Sequence, residues 1–153
     1  MIKAAVLGSP ISHSLSPSLH TAAYKKLKID GEYSSFEVKE NELKSFIEKS
    51  GDEFTGFSLT MPLKEVIFDV ATKVDAETQK IFSGNTLLRQ GRDWFVTSTD
   101  RTGFISLFSS HKLSGVKRVV LFGAGGTARA ALGALDQSDV EISVIRRNPS
   151  RDI

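Results

Sequence analysis

The chain has 153 residues, which suits one ordinary domain or a small domain plus part of a second. Charged residues make up 25% of it, but the formal net charge is only +2 and the basic residues are scattered, which argues against a nucleic-acid surface. It has no cysteine, no signal-peptide pattern and no apolar run near the roughly 18 residues of a membrane span. We therefore expect a soluble, cytoplasmic protein with neither membrane nor nucleic-acid partners.

The first predicted element is a strand over residues 3–8, followed by a loop rich in serine. Ser16 and Pro17 predict the start of a helix, with Ser16 as its cap. The apolar face of that helix would comprise Leu19, Ala22, Ala23 and Leu27. Ser14 and Ser16 thus lie between a strand end and a helix start, where open α/β sheets bind anions. The alternative is that these serines only cap and turn the chain.

A second strand is predicted over residues 32–38, a helix over 40–49 and a third strand over 56–59. A helix through residue 70 should follow, with Pro62 in its first turn and Thr60 just before it. Lys64 would lie in that first turn, where a cation opposes the helix dipole. This placement favours a functional role, although a solvated surface lysine is the alternative.

The next predicted elements are a helix over residues 74–82 and two strands, 85–89 and 94–98. The turn Gln90-Gly91-Arg92 would join these strands as a hairpin. A helix over 101–108 follows, and Asp100 is a plausible cap for it. The polar segment after that helix places a domain junction near residues 99–116.

A glycine-rich turn stands between a predicted strand over residues 117–122 and a helix over 127–135, and a further strand is expected over 140–145. Gly123, Gly125 and Ala128 fit the dinucleotide-binding pattern G-x-G-x-x-G/A inside this βαβ frame. The turn would bring backbone N–H groups and the helix dipole to a pyrophosphate. An ordinary strand-to-helix turn is the alternative.

The end of the last strand indicates which dinucleotide is bound. An NAD site usually has an acidic residue there for the ribose 2′-hydroxyl, whereas an NADP site has arginine for the 2′-phosphate. Arg146 and Arg147 occupy this position and favour NADP, and a solvated basic strand end is the alternative. The chain stops soon afterwards, so we expect most of a doubly wound sheet to be missing.

Five short segments, taken in order, resemble those of the shikimate dehydrogenase family. Segment 13–17, with His20, is similar to the family's carboxylate-binding S-x-S-P, and 60–64 is similar to its N-V-T-x-P-x-K. Segment 85–87 is similar to its N-T-L, Thr99-Asp100 to its N-T-D-G, and 123–126 to its glycine loop. Arg146 and Arg147 fall where the family usually carries N-R-T for the 2′-phosphate.

This resemblance implies an α/β fold in two parts. Residues 1–100 would form a three-layer substrate-binding and catalytic domain with a mainly parallel sheet, and residues 101–153 the first βαβ of an incomplete Rossmann-type NADP-binding domain. The implied reaction is the reversible, NADPH-dependent reduction of 3-dehydroshikimate to shikimate in aromatic amino-acid biosynthesis. The enzyme would be an oxidoreductase, working as a monomer or a homodimer.

The resemblance also assigns roles to individual residues. Lys64 and Asp100 would form the catalytic pair, Ser14 and Ser16 would bind the substrate carboxylate, and ring hydroxyls would be held by Thr60, Asn85 and Asp100. The NADP-binding residues would be Gly123, Gly125, Gly126, Thr127, Ala128, Arg146 and Arg147. No metal site is expected, because His13, His20 and His111 are too isolated in sequence to form one.

Several positions depart from the family's motifs. Ser58 and Ser98 stand where the family has asparagine, Arg101 stands where it has glycine, and Ser83-Gly84 replaces a small apolar pair. Arg101 follows Asp100 directly and could add a contact to an anionic or hydroxylated substrate. A dehydrogenase that prefers quinate, a non-catalytic ligand-binding module and a generic NADP-binding redox sensor therefore stay open as alternatives.

Overall fold

Within residues 1–111, 113–135 and 139–147, which the computed structural model describes, eight strands form two sheets. The strands are β1 Ile2–Gly8, β2 Gly31–Glu37, β3 Gly56–Leu59, β4 Lys73–Val74, β5 Thr86–Gln90, β6 Asp93–Thr97, β7 Arg118–Phe122 and β8 Glu141–Ile145. The α-helices are α1 Ser16–Leu27, α2 Leu43–Ser50, α3 Ala76–Ile81, α4 Thr99–Ser110 and α5 Gly126–Leu135. Short 3₁₀ turns cover Glu40–Glu42, Gly51–Glu53, Val66–Asp69 and Leu113–Gly115.

The larger sheet has six strands in the order β2-β1-β3-β5-β6-β4. β1 is parallel to β2 and to β3, and β4 is parallel to β6, whereas β5 runs antiparallel to both of its neighbours. This mainly parallel sheet confirms the predicted α/β class. Leu7 near the end of β1 lies opposite Phe36 and Leu59, so the carboxyl ends of β1, β2 and β3 meet at one edge.

The core lies on both faces of this sheet because side chains alternate along β1. Ala5 and Leu7 face the larger cluster, to which α2 contributes Leu43 and Ile47. Val6 faces a smaller cluster on the opposite side. Each fully buried leucine contributes roughly 1.5–3 kcal/mol. The larger cluster therefore fixes the edge of the sheet from which the serine loop and the loop after β3 emerge.

Helix α1 differs from its prediction in two ways. Its N-cap is Leu15, and Ser16 is its first helical residue. The predicted apolar face is exposed within the described part of the chain, with Leu19 at 67% and Leu27 at 65%. Aromatic contacts hold the helix instead, since the His20 ring stacks on Tyr33 of β2 at 3.9 Å.

The predicted helix from Pro62 to residue 70 is wrong. The segment forms successive turns and the 3₁₀ turn Val66–Asp69. A contact from another part of the chain explains the difference, because the Gly84 N–H donates to the Lys64 carbonyl at 2.8 Å. That carbonyl would otherwise accept the bond that continues an α-helix. Lys64 therefore lies in a turn and not in a helix.

The predicted helix over residues 74–82 begins two residues late. Val74 pairs with Val96 in the sheet, and the Asp75 carboxylate accepts from the Thr78 N–H at 3.0 Å as the N-cap of α3.

Helix α4, by contrast, begins earlier than predicted, at Thr99, with Ser98 at its N-cap position. The proposed capping role of Asp100 is therefore wrong, because Asp100 lies inside the first turn.

The remaining predicted elements are confirmed to within a few residues. The hairpin of β5 and β6 turns at Gly91, whose φ of +67° suits glycine. β7 and β8 pair in parallel, with α5 between them in the chain, so the predicted βαβ unit is present.

No helix in the described residues is long and apolar enough to cross a membrane. Asn148 and residues 149–153 lie outside the described residues, and the division into domains at residue 100 stays a prediction.

Candidate active site

A lysine and an aspartate form the charged centre of the site. The Lys64 Nζ atom lies 2.6 Å from the Asp100 Oδ2 atom, and the two side chains are 17% and 25% exposed. Lys64 comes from the turn after β3, whereas Asp100 comes from the first turn of α4, where a carboxylate is favoured by the helix dipole. The fold thus brings together the two residues that the resemblance assigns to catalysis.

Asn85 holds the carboxylate of this pair in place. Its Nδ2 atom donates to Asp100 Oδ1 at 2.7 Å and to Thr99 Oγ1 at 2.8 Å. Its Oδ1 atom accepts from the Thr99 N–H at 2.9 Å, at the start of α4 where the Ser98 side chain forms no capping bond. Asn85 therefore caps the helix that carries Asp100, in addition to any contact with a substrate.

The glycine loop and Lys64 line the same cavity of about 650 Å³, whereas Asn85 and Asp100 stand outside its lining. The cavity is lined by Glu40, Thr60, Met61, Pro62, Lys64, Glu65, Val66, Phe104, Leu121, Phe122, Gly123, Gly125, Gly126, Thr127, Ala128 and Ala131. Two walls therefore meet here: the loop after β3 on one side, and the end of β7 with the start of α5 on the other.

The start of α5 approaches Lys64 closely. A Cβ atom on Gly126 would lie 2.6 Å from Ser83 Oγ and 3.1 Å from Lys64 Cβ, so a larger residue would have to displace these side chains. The Lys64 Nζ atom also donates to Thr127 Oγ1 at 3.3 Å. The ammonium group consequently touches both the predicted substrate side and the predicted cofactor side of the cavity.

The glycine loop leaves open space beside its backbone. Gly123 has a φ of +118°, and a Cβ atom on Gly125 would meet nothing within 4 Å. Open space at Gly125, beside the N-terminus of α5, is what a pyrophosphate needs to approach the backbone. The first turn of α5 carries no acidic residue to repel it. These residues fit an NADP pyrophosphate.

Arg146 and Arg147 lie beside the same loop. They follow β8 directly, and the Gly123 N–H donates to the carbonyl of Ile145 at 2.8 Å. Both arginines are exposed and stand outside the lining of the cavity. They are placed where they could reach the outer end of a dinucleotide whose pyrophosphate rests on the glycine loop.

The serine loop lies next to the loop that carries Thr60. The Thr60 N–H donates to the Leu7 carbonyl at 3.0 Å, and the Ser9 N–H donates to the Met61 carbonyl at 2.9 Å. Ser14 and Ser16 are half-buried, and Ser14 Oγ accepts from the Ser16 N–H at 3.3 Å. Both serines stand outside the lining of the 650 Å³ cavity.

Tyr33 is a member of this region that the sequence did not reveal. Its hydroxyl donates to Ser58 Oγ at 2.7 Å, so a Tyr–Ser pair occupies the place of a family asparagine. Burial raises the pKa of Tyr33 above its usual value, which keeps the phenol protonated as a donor. The alternation of side chains along β2 and β3 could have suggested a contact between Tyr33 and Ser58. The sequence does not show, however, that these two strands are separated only by β1 in the sheet.

Arg101 does not face the cavity. Its Nε atom donates to the Gly133 carbonyl at 3.0 Å, and its Nη2 atom lies 3.1 Å from Glu77 Oε2. The expectation that Arg101 contacts the substrate is therefore not supported by its position. Elsewhere in the described residues, no group of three His, Asp or Glu side chains is arranged to hold a metal ion.

The fold and the site together define an α/β protein in which a dinucleotide-type glycine loop faces a lysine–aspartate pair. A family model described as the shikimate dehydrogenase substrate binding domain matches residues 6–87. The chain belongs to the shikimate dehydrogenase family.

Individual relatives cover nearly all of the chain. It is 33% identical over 151 residues to the NADP(+) shikimate dehydrogenase of Shouchella clausii, an alignment covering 95% of this chain and 54% of that protein. The corresponding protein of Hyphomonas neptunium is 36% identical, with 95% of this chain and 55% of that protein covered. The chain thus spans about half the length of the curated relatives it matches.

A solved structure shows the same arrangement of elements. The shikimate 5-dehydrogenase of Thermus thermophilus, in complex with NADP(H) and shikimate, matches with a TM-score of 0.86 and 34% identity. The match covers 99% of this chain and 58% of that one.

Proposed function

We propose that this chain provides the substrate-binding residues, the catalytic pair and the start of the cofactor site of an NADP-dependent shikimate dehydrogenase. The reaction would be the reversible reduction of 3-dehydroshikimate to shikimate in aromatic amino-acid biosynthesis. The observation that carries this proposal is the Lys64–Asp100 contact at 2.6 Å, with Lys64 lining the same cavity as the glycine loop. Relatives named for this activity support the substrate and the cofactor.

Lys64 would act on the oxygen of the ketone. When bound, NADPH supplies the hydride that reduces the ketone carbon. Negative charge then develops on the carbonyl oxygen, and the Lys64 ammonium stabilises it and donates a proton to it. Asp100 orients that ammonium, and Asn85 orients Asp100. In the reverse direction, Lys64 accepts the proton from the hydroxyl group that is being oxidised.

Substrate binding would use the polar groups at the carboxyl ends of β1 and β3. Ser14 and Ser16 would donate to the substrate carboxylate, since two hydroxyl groups near a helix N-terminus suit an anion. Thr60 lines the cavity beside Lys64 and would hold a ring hydroxyl. Asn85 and Asp100 would also hold ring hydroxyls, through the donors and acceptors that their bond to each other leaves available.

NADP would be held by Gly123, Gly125, Gly126, Thr127 and Ala128, and its 2′-phosphate by Arg146 and Arg147. Two guanidinium groups can form paired hydrogen bonds with a phosphate, whereas they offer a 2′-hydroxyl no comparable gain. The preference for NADP over NAD thus rests on residues just beyond β8. A cytoplasmic location and a monomeric or dimeric state stay predictions.

Initial rates of NADP⁺ and NAD⁺ reduction test this function directly, with the full protein and with shikimate and quinate side by side. Efficient turnover of shikimate with NADP⁺ is the expected result. Faster turnover of quinate would assign a different substrate preference. No turnover with either compound, despite measurable shikimate binding, would support a ligand-binding module and contradict the proposed activity.

A further inference from the structure

Arg101 connects the predicted cofactor half of the chain to the catalytic half. It is the residue after Asp100, and its side chain is only 18% exposed. Its guanidinium reaches the Gly133 carbonyl in the last turn of α5 and the Glu77 carboxylate in the first turn of α3. A single side chain thus joins three helices, one of which carries the catalytic aspartate.

The contact with Gly133 joins Arg101 to the backbone of α5. Gly133 lies in the last described turn of α5, whose described residues run from Gly126 to Leu135. Arg101 therefore contacts α5 at a point remote from the glycine loop, which lies at the start of the helix.

Backbone packing at the same point leaves little freedom. A Cβ atom on Gly133 would collide with the Ile81 side chain of α3 and would lie 3.5 Å from Arg101 Cδ. Glycine thus lets the end of α5 lie directly against α3 and the start of α4. The polar bond and the close backbone contact hold α5 at the same place.

The two ends of α5 are linked to the catalytic pair in different ways. At the near end, Thr127 accepts from Lys64, and at the far end Gly133 accepts from the residue that follows Asp100. These anchor points are six residues apart, or about 9 Å along the helix axis. These two contacts restrict tilting and sliding of α5 against Lys64 and Asp100.

We propose that Arg101 is a positioning residue that sets the distance and angle between the cofactor site and the Lys64–Asp100 pair. This inference rests on the proposed function. Transfer of a hydride needs its donor and acceptor carbons to be aligned, and a misplacement of about 1 Å can cost roughly 100-fold in rate. Loss of the Arg101 contacts should consequently slow hydride transfer while the substrate side of the cavity stays intact.

The test compares Arg101→Met with the wild type in the full protein. The single-turnover rate of NADPH oxidation is measured with saturating NADPH and 3-dehydroshikimate, and the Kd for shikimate is measured without cofactor. We expect the rate to fall about 10- to 100-fold while the Kd changes less than about twofold. Arg92→Met is the charge-matched control, because Arg92 is exposed in the turn between β5 and β6.

Gly133→Ala is a second route to the same displacement and decides the question if Arg101→Met does not fold. It should also slow hydride transfer, whereas Gly103→Ala, in open space on α4, should not. Arg101→Lys keeps the charge but lacks the planar fork that serves both partners, so an intermediate rate is expected.

Each outcome separates this inference from the proposed function. Rates within about twofold of the wild type for both Arg101→Met and Gly133→Ala would overturn the positioning role, even with a lowered Tm, and would leave the proposed function standing. A similar fall in the Gly103→Ala control would also overturn it. A wild-type protein that oxidises no NADPH with 3-dehydroshikimate would contradict the proposed function and this inference together.

Discussion

Replacement of Asn85 by alanine should disturb both the stability of α4 and the position of Asp100. The change removes the acceptor for the Thr99 N–H, worth about 1 kcal/mol as a helix cap. It also removes the donor to Asp100 Oδ1, and hydrogen bonds to charged groups contribute roughly 1.5–3 kcal/mol. Because these groups are partly solvated, we expect the free energy of unfolding to fall by about 2 kcal/mol in total.

The catalytic effect of Asn85→Ala should exceed what this loss of stability explains. Asp100 keeps its bond to Lys64 but loses its second anchor, so the lysine is held less firmly at the ketone oxygen. We expect kcat to fall roughly 10-fold under conditions where the variant is fully folded. Urea unfolding followed by circular dichroism measures the change in the free energy of unfolding. Steady-state kinetics at low temperature measures the change in kcat.

Asn41→Ala is the matched control, since Asn41 is exposed in the 3₁₀ turn Glu40–Glu42, at a distance in sequence from Asp100. It should change the free energy of unfolding by less than about 0.5 kcal/mol and leave kcat unchanged. If Asn85→Ala behaves like this control in both measurements, the Asn85 amide does not hold Asp100 and the reasoning is refuted.

Three further predictions concern other parts of the site. Ser14→Ala and Ser16→Ala should each raise the KM for shikimate, since a bond to a carboxylate is worth roughly 1.5–3 kcal/mol; unchanged KM values in both would contradict the carboxylate site. Arg146→Asp with Arg147→Ser should weaken NADPH binding far more than NADH binding in titrations of nucleotide fluorescence; equal losses would contradict the 2′-phosphate site. Because burial raises the pKa of Tyr33, the unfolded chain loses that phenolic proton first, so the free energy of unfolding should decline above about pH 10. Tyr33→Phe should make that decline shallower, and a pH profile identical to that of the wild type would show that Tyr33 does not cause it.

The elements that local sequence decides were predicted well. The glycine turn, α5 and the two flanking strands follow from apolar periodicity and from the positions of Gly123 and Gly125. The hairpin follows from Gly91, which tolerates the positive φ of the turn. In these segments, the neighbouring residues that form the sequence pattern are the same residues that determine the local structure.

The errors arise where distant contacts override local preference. The helix predicted after Pro62 is replaced by turns, since the Lys64 carbonyl bonds to Gly84 from another segment. Helix α1 exposes the leucines that its periodicity assigned to a core and is held instead by the stacking of His20 on Tyr33. The periodicity of apolar residues within one element carries no information about its contacts with other elements.

The pairing of Lys64 with Asp100 was predicted through resemblance to a family, because the two residues are far apart in sequence and either could be a surface charge. Their contact at 2.6 Å and the support from Asn85 emerge only from the fold. The orientation of Arg101 away from the cavity was equally invisible in the sequence, since α3 and α5 supply its partners.

The rate of hydride transfer in a Lys64→Met variant tests the central claim most directly. Single-turnover oxidation of NADPH, already bound to the full protein and mixed with 3-dehydroshikimate, isolates the chemical step from product release. The account predicts a fall of roughly 10²–10⁴ in that rate, because the developing alkoxide loses its proton donor, with a much smaller change in substrate affinity. An unchanged single-turnover rate would show that Lys64 is not the catalytic acid and would contradict the account.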